Sequence, residues 1–489
     1  NDGNDSDKLK ISDDGDVRVT LDQSGNTTFA GSQVIYADGN IAIPATKALF
    51  FDGGTHTKIV ESAGDVLDIY AGANLALKLD TNSRISISNN DNGGTAGEDS
   101  TTGNTLLGYL SGGTIDANTI NNTFVGHKSG SGSKSDAQNN TALGAIALSS
   151  LTSGDSNVAI GYSAGENLTS GGNSVMIGNK AGEGVSTSFY HVLIGDNAGN
   201  KTLSDHGSVA VGYYALANAT SGGYNTAIGY QALEDNVSGE SSTALGYQSL
   251  ANATGGNNTA VGYQSGDSIT TGSNNTILGF QAFSADTDGT DNVAIGWKAG
   301  RNVHGAQKNV MIGYQAMANI DNNPGDEIAN CVAIGYQAFL GSDNDSTGTT
   351  TDANGTVALG YKSLTALTEG QYSTATGYES LLTNSTGDSN SAYGYQSGKL
   401  ITGSNNACFG AFSADQLAGG QQNTILGVQA DASSSTGSNQ SVIGFQATGQ
   451  GDNSVTLGNS SVTDVYMAQD KGAKVHMGDF HLQNPTSFT

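Results

Sequence analysis

The phrase NTAIGYQAL (225–233) returns as STALGYQSL (242–250) and again as NTAVGYQSG (258–266). The glycine after the aliphatic triplet recurs at 21 positions from Gly108 to Gly458, and most steps between them are 17 residues. A period of this length points to an array of small stacked units rather than to separate globular domains.

Counted from that glycine, the columns are selective. Three before it stands a β-branched residue in most copies, such as Val158, Val175, Thr226 and Thr243. One before it stands an aliphatic residue, such as Ile160, Ile228 or Leu245, and two before it most often alanine. Four before it, 12 of the 21 copies carry Asn; three after it, every copy carries Ala or Ser. The residue just after it is aromatic in most copies, usually Tyr. Three β-branched or aliphatic residues ended by glycine read as a short strand closed by a turn. A helix does not fit, because glycine interrupts every copy and no 3.6-residue spacing crosses the linkers. Seventeen residues leave room for about two short strands and two turns, one rung of a parallel β-solenoid. Equal columns then stack about 4.8 Å apart. The Asn column becomes an amide ladder and the Tyr column a stack of rings. The Ala/Ser column marks a place where nothing larger fits, a tight interior corner or a close contact between chains. The rod is expected to be on the order of 100 Å long.

Side chains alternate along a strand. Placing the larger −3 and −1 residues inside the roll turns position −2 outward. Ala159, Ala227, Ala244, Ala260 and Ala294 are therefore expected to meet another copy of the chain, since soluble monomers avoid long exposed apolar strips.

Composition limits the function. Eighteen basic residues stand against 45 acidic ones, a formal charge of −27. That disfavours nucleic acid, whose phosphates need a cationic surface. No run of 18 apolar residues suggests membrane insertion. The chain begins with Asn1, with no signal peptide, which is read as a fragment or a processed product. Cys331 and Cys408 stand four rungs apart, roughly 19 Å by the rung spacing. They are expected to be buried small hydrophobes, not a disulfide.

Residues 1–103 lack the period. DVRVTLD (16–22), VIYADGNIAI (34–43), ALFFDGG (48–54), KIVES (58–62), VLDIYAG (66–72), LALKLD (75–80) and RISISNN (84–90) alternate like half-buried strands. DNGGTAGEDSTTG (91–103) reads as a polar link. Residues 462–489 leave the period and read as closing strands that cap the last rung.

NSVMIGNKA (173–181), NVAIGYSA (157–164) and NSVTLGNSS (453–461) resemble the repeated phrase of trimeric autotransporter adhesin (YadA-like) heads. The resemblance covers about residues 104–461. It implies a left-handed parallel β-roll of about 21 rungs, three chains packed as a homotrimer. The longer period departs from that family and implies a longer outer turn per rung. The Tyr-Gln after the glycine, the β-rich first hundred residues and the region 453–480 look like bacteriophage tail fibres. That resemblance implies a virion tail protein that attaches to a host-surface glycan or protein and contacts other tail proteins. In such fibres a C-terminal chaperone often follows a segment of this kind. A bacterial surface adhesin is the second reading. A polysaccharide-cleaving tailspike is a third, with no carboxylate pair singled out for it. The leading reading is structural, with no catalytic residue.

Two steps are longer, 22 and 25 residues. They carry NIDNNPGDEIAN (319–330) and LGSDNDSTGTTTDANG (340–355). Insertions in solenoids map to loops, often on the binding face. Asp321, Asn323, Asp326, Glu327, Asp343 and Asp345 are the receptor-contact candidates; tolerated polar bulges are the alternative. Asp286, Asp288 and Asp291 alternate as a Ca²⁺ loop would, but Trp297 holds the twelfth position where an EF-hand needs an acid. A looser calcium site, or solvated turn acids, remain the two readings. No cofactor is otherwise indicated. NNT triplets such as 121–123 match a glycosylation pattern, yet read as an Asn ladder beside a strand.

Overall fold

The computed structural model describes residues 103–201, 206–320, 328–341 and 353–466, together with Thr57 and the strands lying between residues 9 and 86. The chain divides into two compact units: Asn1–Asn90 with Gly94–Asp99, and Ser100–Thr489 with Asp91–Gly93.

In the first unit the strands are antiparallel. Leu9–Asp13, Asp16–Leu21 and Thr27–Phe29 form one sheet, and Ala48–Phe50, Lys58–Ala63, Val66–Ala71, Asn74–Leu79 and Ile85–Ser86 form another. Most expected strands match these to within a few residues. Leu9–Asp13 and Thr27–Phe29 were not among those expected. The expected strand at 34–43 lies outside the described residues, as does nearly all of the polar link.

The second unit is the solenoid. Twenty-one parallel strands run from Thr105–Leu107 to Ser454–Leu457, each in register with the next. Nearly all are the triplet before the anchor glycine, as Thr226–Ile228 pairs with Thr243–Leu245. Among the described residues there is no helix, and none that could cross a membrane. The expectation of two strands per rung is corrected. Among the described residues only Ala306–Gln307 and Ile328–Ala329 form a second pair of strands, with isolated bridges at Thr290–Gln307 and Asp431–Thr448. Elsewhere the rest of the rung is turns, but these still bond to the next rung. Gly165 N–H donates to Ala181 O at 2.9 Å, and Thr152 N–H to Thr169 O at 2.8 Å.

The turns have a fixed backbone. Positions −5, +2 and +4 are left-handed in nearly every rung, as Tyr224, Gln231 and Leu233 show with φ of 62°, 53° and 51°. The anchor glycine does a different job. At Gly229 φ is 141°, and a Cβ would lie 2.2 Å from Gly246 O. Successive anchors thus touch backbone to backbone, which no other residue permits.

The core is filled from three places. Position −2 supplies Ala159, Met176, Leu193 and Ala227; position +3 supplies the Ala/Ser column; positions +4 and +7 supply Leu148, Leu151, Leu168, Phe283, Ile269 and Phe339. All are buried. Of the two readings of the Ala/Ser column, the structure shows the tight interior corner. At one end Lys134 is buried too. Its ammonium donates to the carbonyls of Gly112 at 3.1 Å, Gly132 at 2.9 Å and Gly130, and lies 5.0 Å from the Phe124 ring centroid. Burial pushes its pKa down to about 8, while the carbonyl acceptors favour the charged form.

The Asn column forms the ladder. Asn275 Oδ1 accepts from Asn292 N–H and Asn292 Nδ2, both at 3.1 Å, and Asn275 Nδ2 donates to Gly289 O at 2.7 Å. Where serine replaces Asn, its hydroxyl still accepts from the next rung: Ser174 Oγ takes His191 N–H at 3.1 Å. Cys331 fills one step by donating its Sγ–H to Ala353 O at 3.2 Å. Both cysteines are free and buried, and burial pushes their thiols up to about 11 and 12.

Candidate functional site: the outward strand face and its aromatic ladder

A strand of three residues shows two side chains to one face and one to the other. In this roll the single one points in. Ala159, Ala227, Ala244, Ala260 and Ala294 have no exposed surface. Their expected contact with another chain is therefore corrected: they line the roll interior, in the column that elsewhere holds Phe124, Met176 and Leu193. The residues read as interior are the outward ones. Ile228, Leu245, Leu278 and Leu426 are 37% to 46% exposed, and the β-branched residues two positions earlier are half-buried or exposed. The outer face is a β-branched column beside an aliphatic column, repeated from rung to rung.

Across the anchor glycine from that face runs the ring column. Eleven rings stack without a break from Tyr213 through Tyr230, Tyr247, Tyr263, Phe280, Trp297, Tyr314, Tyr336, Tyr361 and Tyr378 to Tyr395. Centroids lie 4.6 Å apart at Trp297–Tyr314 and 6.3 Å at Phe280–Trp297, with planes within 13°. Phe412 closes the top edge-on to Tyr395 at 62°. The spacing is the rung spacing, so the strands dictate the stack. A parallel Gln ladder sits one residue on, with Gln248 Nε2 donating to Gln231 Oε1 at 3.0 Å. Lys298 and Lys362 lie 4.2 Å and 5.5 Å from the Trp297 and Tyr361 ring centroids.

The three calcium candidates do not converge. Asp286 is buried at position +7, a column otherwise mostly aliphatic. Its Oδ1 accepts from Gly289 N–H at 2.7 Å and Asp288 N–H at 3.0 Å, and its Oδ2 from Ala306 N–H at 2.9 Å. Asn236 and Asn384, in the same column, close the same turn onto Gly239 and Gly387. Asp286 is thus the acidic member of a turn-closing set, its oxygens committed to backbone. Burial raises its pKa, against the pull of those N–H donors. Asp288 and Asp291 are exposed. Among the described residues no three His, Cys, Asp or Glu side chains form a group that could hold a metal.

The receptor candidates Asp321, Asn323, Asp326, Glu327, Asp343 and Asp345 lie outside the described residues. The strands on either side of their insertions stay in register: Val310 pairs with Val332, and Val332 with Val357. The glycosylation-like triplets resolve into two columns. Asn122 is buried in the ladder, and Asn121 is an exposed left-handed turn residue.

One cluster had no signal in the repeat. Asp431 is buried beside Asp415, with Oδ2 accepting Gln416 N–H at 2.9 Å and Oδ1 accepting Ala432 N–H at 2.8 Å. Burial, and then the Asp415 carboxyl, push its pKa up to about 7.

Compared with known proteins, the chain matches no family model and no curated sequence.

Proposed function

We propose that this chain is a structural fibre protein, a homotrimer of a bacteriophage tail that attaches the virion to a glycan or protein on the host surface. The observation that carries the reading is the outward strand face. An apolar strip repeated over 21 rungs is far larger than the patches soluble monomers leave open. A second and third copy laid along it would cover it over its whole length, and the three-residue strand offers a flat surface for close approach. The resemblance to phage fibre repeats supplies the setting, and the acidic surface suits a long, self-repelling particle. Each rung is built to stack, so the scaffold gains length by repetition.

Two measurements test this. Sedimentation equilibrium should give a particle of three 49.4 kDa chains; a stable monomer would sink the reading. The purified chain, added ahead of phage, should block adsorption to susceptible cells and leave resistant cells untouched. Binding to animal cells instead would favour a bacterial surface adhesin.

A further inference from the structure

A laddered ring has both faces covered by its neighbours, so only its edge is wet. The ladder tyrosines are accordingly 39% to 46% exposed. Tyr190, Tyr224 and Tyr372 are different, at 64%, 68% and 65%. All three stand at position −5, in the left-handed turn before the strand, with φ of 66°, 62° and 55°. Two of them lie against a glycine of the preceding rung. A Cβ on Gly207 would meet Tyr224 Cδ1 at 3.1 Å and Cε1 at 3.3 Å, and one on Gly355 would meet Tyr372 at 3.0 Å and 3.3 Å. Each ring takes the place of the missing side chain, rests on bare backbone, and leaves its outer side to solvent.

Tyr190 and Tyr224 flank Gly207 in one column. They are two rungs apart, about 10 Å by strand spacing. Phe189 stands beside Tyr190 at 6.1 Å and meets His206 edge-on at 5.6 Å. His206 Nδ1 accepts Phe189 N–H at 3.1 Å. Exposed polar residues border the pair on adjoining rungs: Asn173, Glu240 and Ser241.

We propose that Tyr190 and Tyr224 form a stacking site for a neutral, extended, β-linked polysaccharide lying along the rod. The inference rests on the attachment reading and names its ligand class and place. A pyranose ring has a flat face of C–H groups and a rim of hydroxyls. An exposed aromatic face with hydrogen-bonding groups beside it matches both. Both side chains spring from one column, two rungs apart, so an extended chain of sugars lying along the rod meets both. The formal charge of −27 opposes a polyanionic glycan. A protein partner would instead favour anchors held in desolvated pockets, and these rings lie open.

The test is affinity electrophoresis of the full chain in native gels cast with hydroxyethyl cellulose, a neutral β-1,4-linked polymer, or with polygalacturonate, an anionic one. The first gel should retard the protein and the second should not. Tyr190→Ala and Tyr224→Ala should each weaken retardation about three- to tenfold, and the double variant should abolish it. Tyr190→Phe and Tyr224→Phe should retain it, because stacking survives loss of the hydroxyl. Tyr230→Ala, in the ladder, should change nothing. Equal retardation of the double alanine variant, or stronger retardation by polygalacturonate, overturns the site. So does the absence of retardation by hydroxyethyl cellulose when the same protein still blocks adsorption to cells, a result that leaves the attachment reading standing. Failure to bind either polymer or cells removes both.

Discussion

Consider Asn275→Ala. The side chain is buried, and its loss strands two backbone groups: Asn292 N–H, which it accepts, and Gly289 C=O, to which it donates. Asn292 Nδ2 keeps its second partner, Ala306 O at 2.8 Å. A buried polar group left without a partner costs about 1–3 kcal/mol, so two cost roughly 2–6 kcal/mol. Asn275→Ser is the internal control. Ser174, Ser208 and Ser242 already hold ladder steps and accept the next rung's N–H at 3.1, 3.3 and 3.2 Å. A serine at 275 should therefore restore the acceptor and leave only Gly289 C=O unmet, a cost of about 1–3 kcal/mol. The assay is native-state hydrogen exchange of the Asn292 amide and its neighbours. In a one-dimensional array the loss should stay near the altered rung. Protection should fall at least tenfold for each 1.4 kcal/mol or so, with alanine worse than serine. Equal effects, or a loss below about 0.5 kcal/mol for alanine, would refute the view that the ladder is a chain of satisfied backbone groups.

Gly246→Ala should prevent correct stacking at its rung, because the new Cβ would stand 2.2 Å from Gly262 O and 2.7 Å from Gly262 C, backbone atoms that cannot swing away; a soluble variant with unchanged circular dichroism and melting would contradict it. The strand orientation is tested by a pair. Ala227→Asp puts an unpaired charge in the core and should cost several kcal/mol, whereas Ile228→Asp should fold but sediment as a smaller particle. The reverse ranking in melting experiments would restore the discarded orientation. For Asp431 the folded pKa of about 7 lies above the usual value near 3.9. Its contribution is then fully present below the usual value and lost as pH rises through about 7. Thermal stability of the last rungs should fall over that window, and Asp431→Asn should flatten the profile; an unchanged slope in the variant would assign the dependence elsewhere.

The period, the strand boundaries, the amide ladder and the ring stack could all be read from the columns, because each is a local rule repeated many times. The inward face could not. Alternation states that Ala227 and Ile228 oppose each other, but not which is inside. Size argued for the isoleucine. What decides it is the amount of core already supplied by Ala232, Leu233 and their counterparts from turns, and turn residues carry no strand-like signal. The same reason hid the second strand's absence: the turns bond from rung to rung without forming one. Asp286 was misread because its column is defined by position +7, far from the anchor, where Asn236 and Asn384 betray the pattern only once the turns are seen. The two long insertions were legible as insertions, with no column to say what they touch.

Those insertions have a consequence of their own. Val310, Val332 and Val357 keep register across rungs of unequal length. Strand positions are thus indifferent to how many residues intervene between them. A lineage can lengthen, shorten or exchange one turn without re-tuning any other rung. Each rung can change in length while the column of strands stays the same.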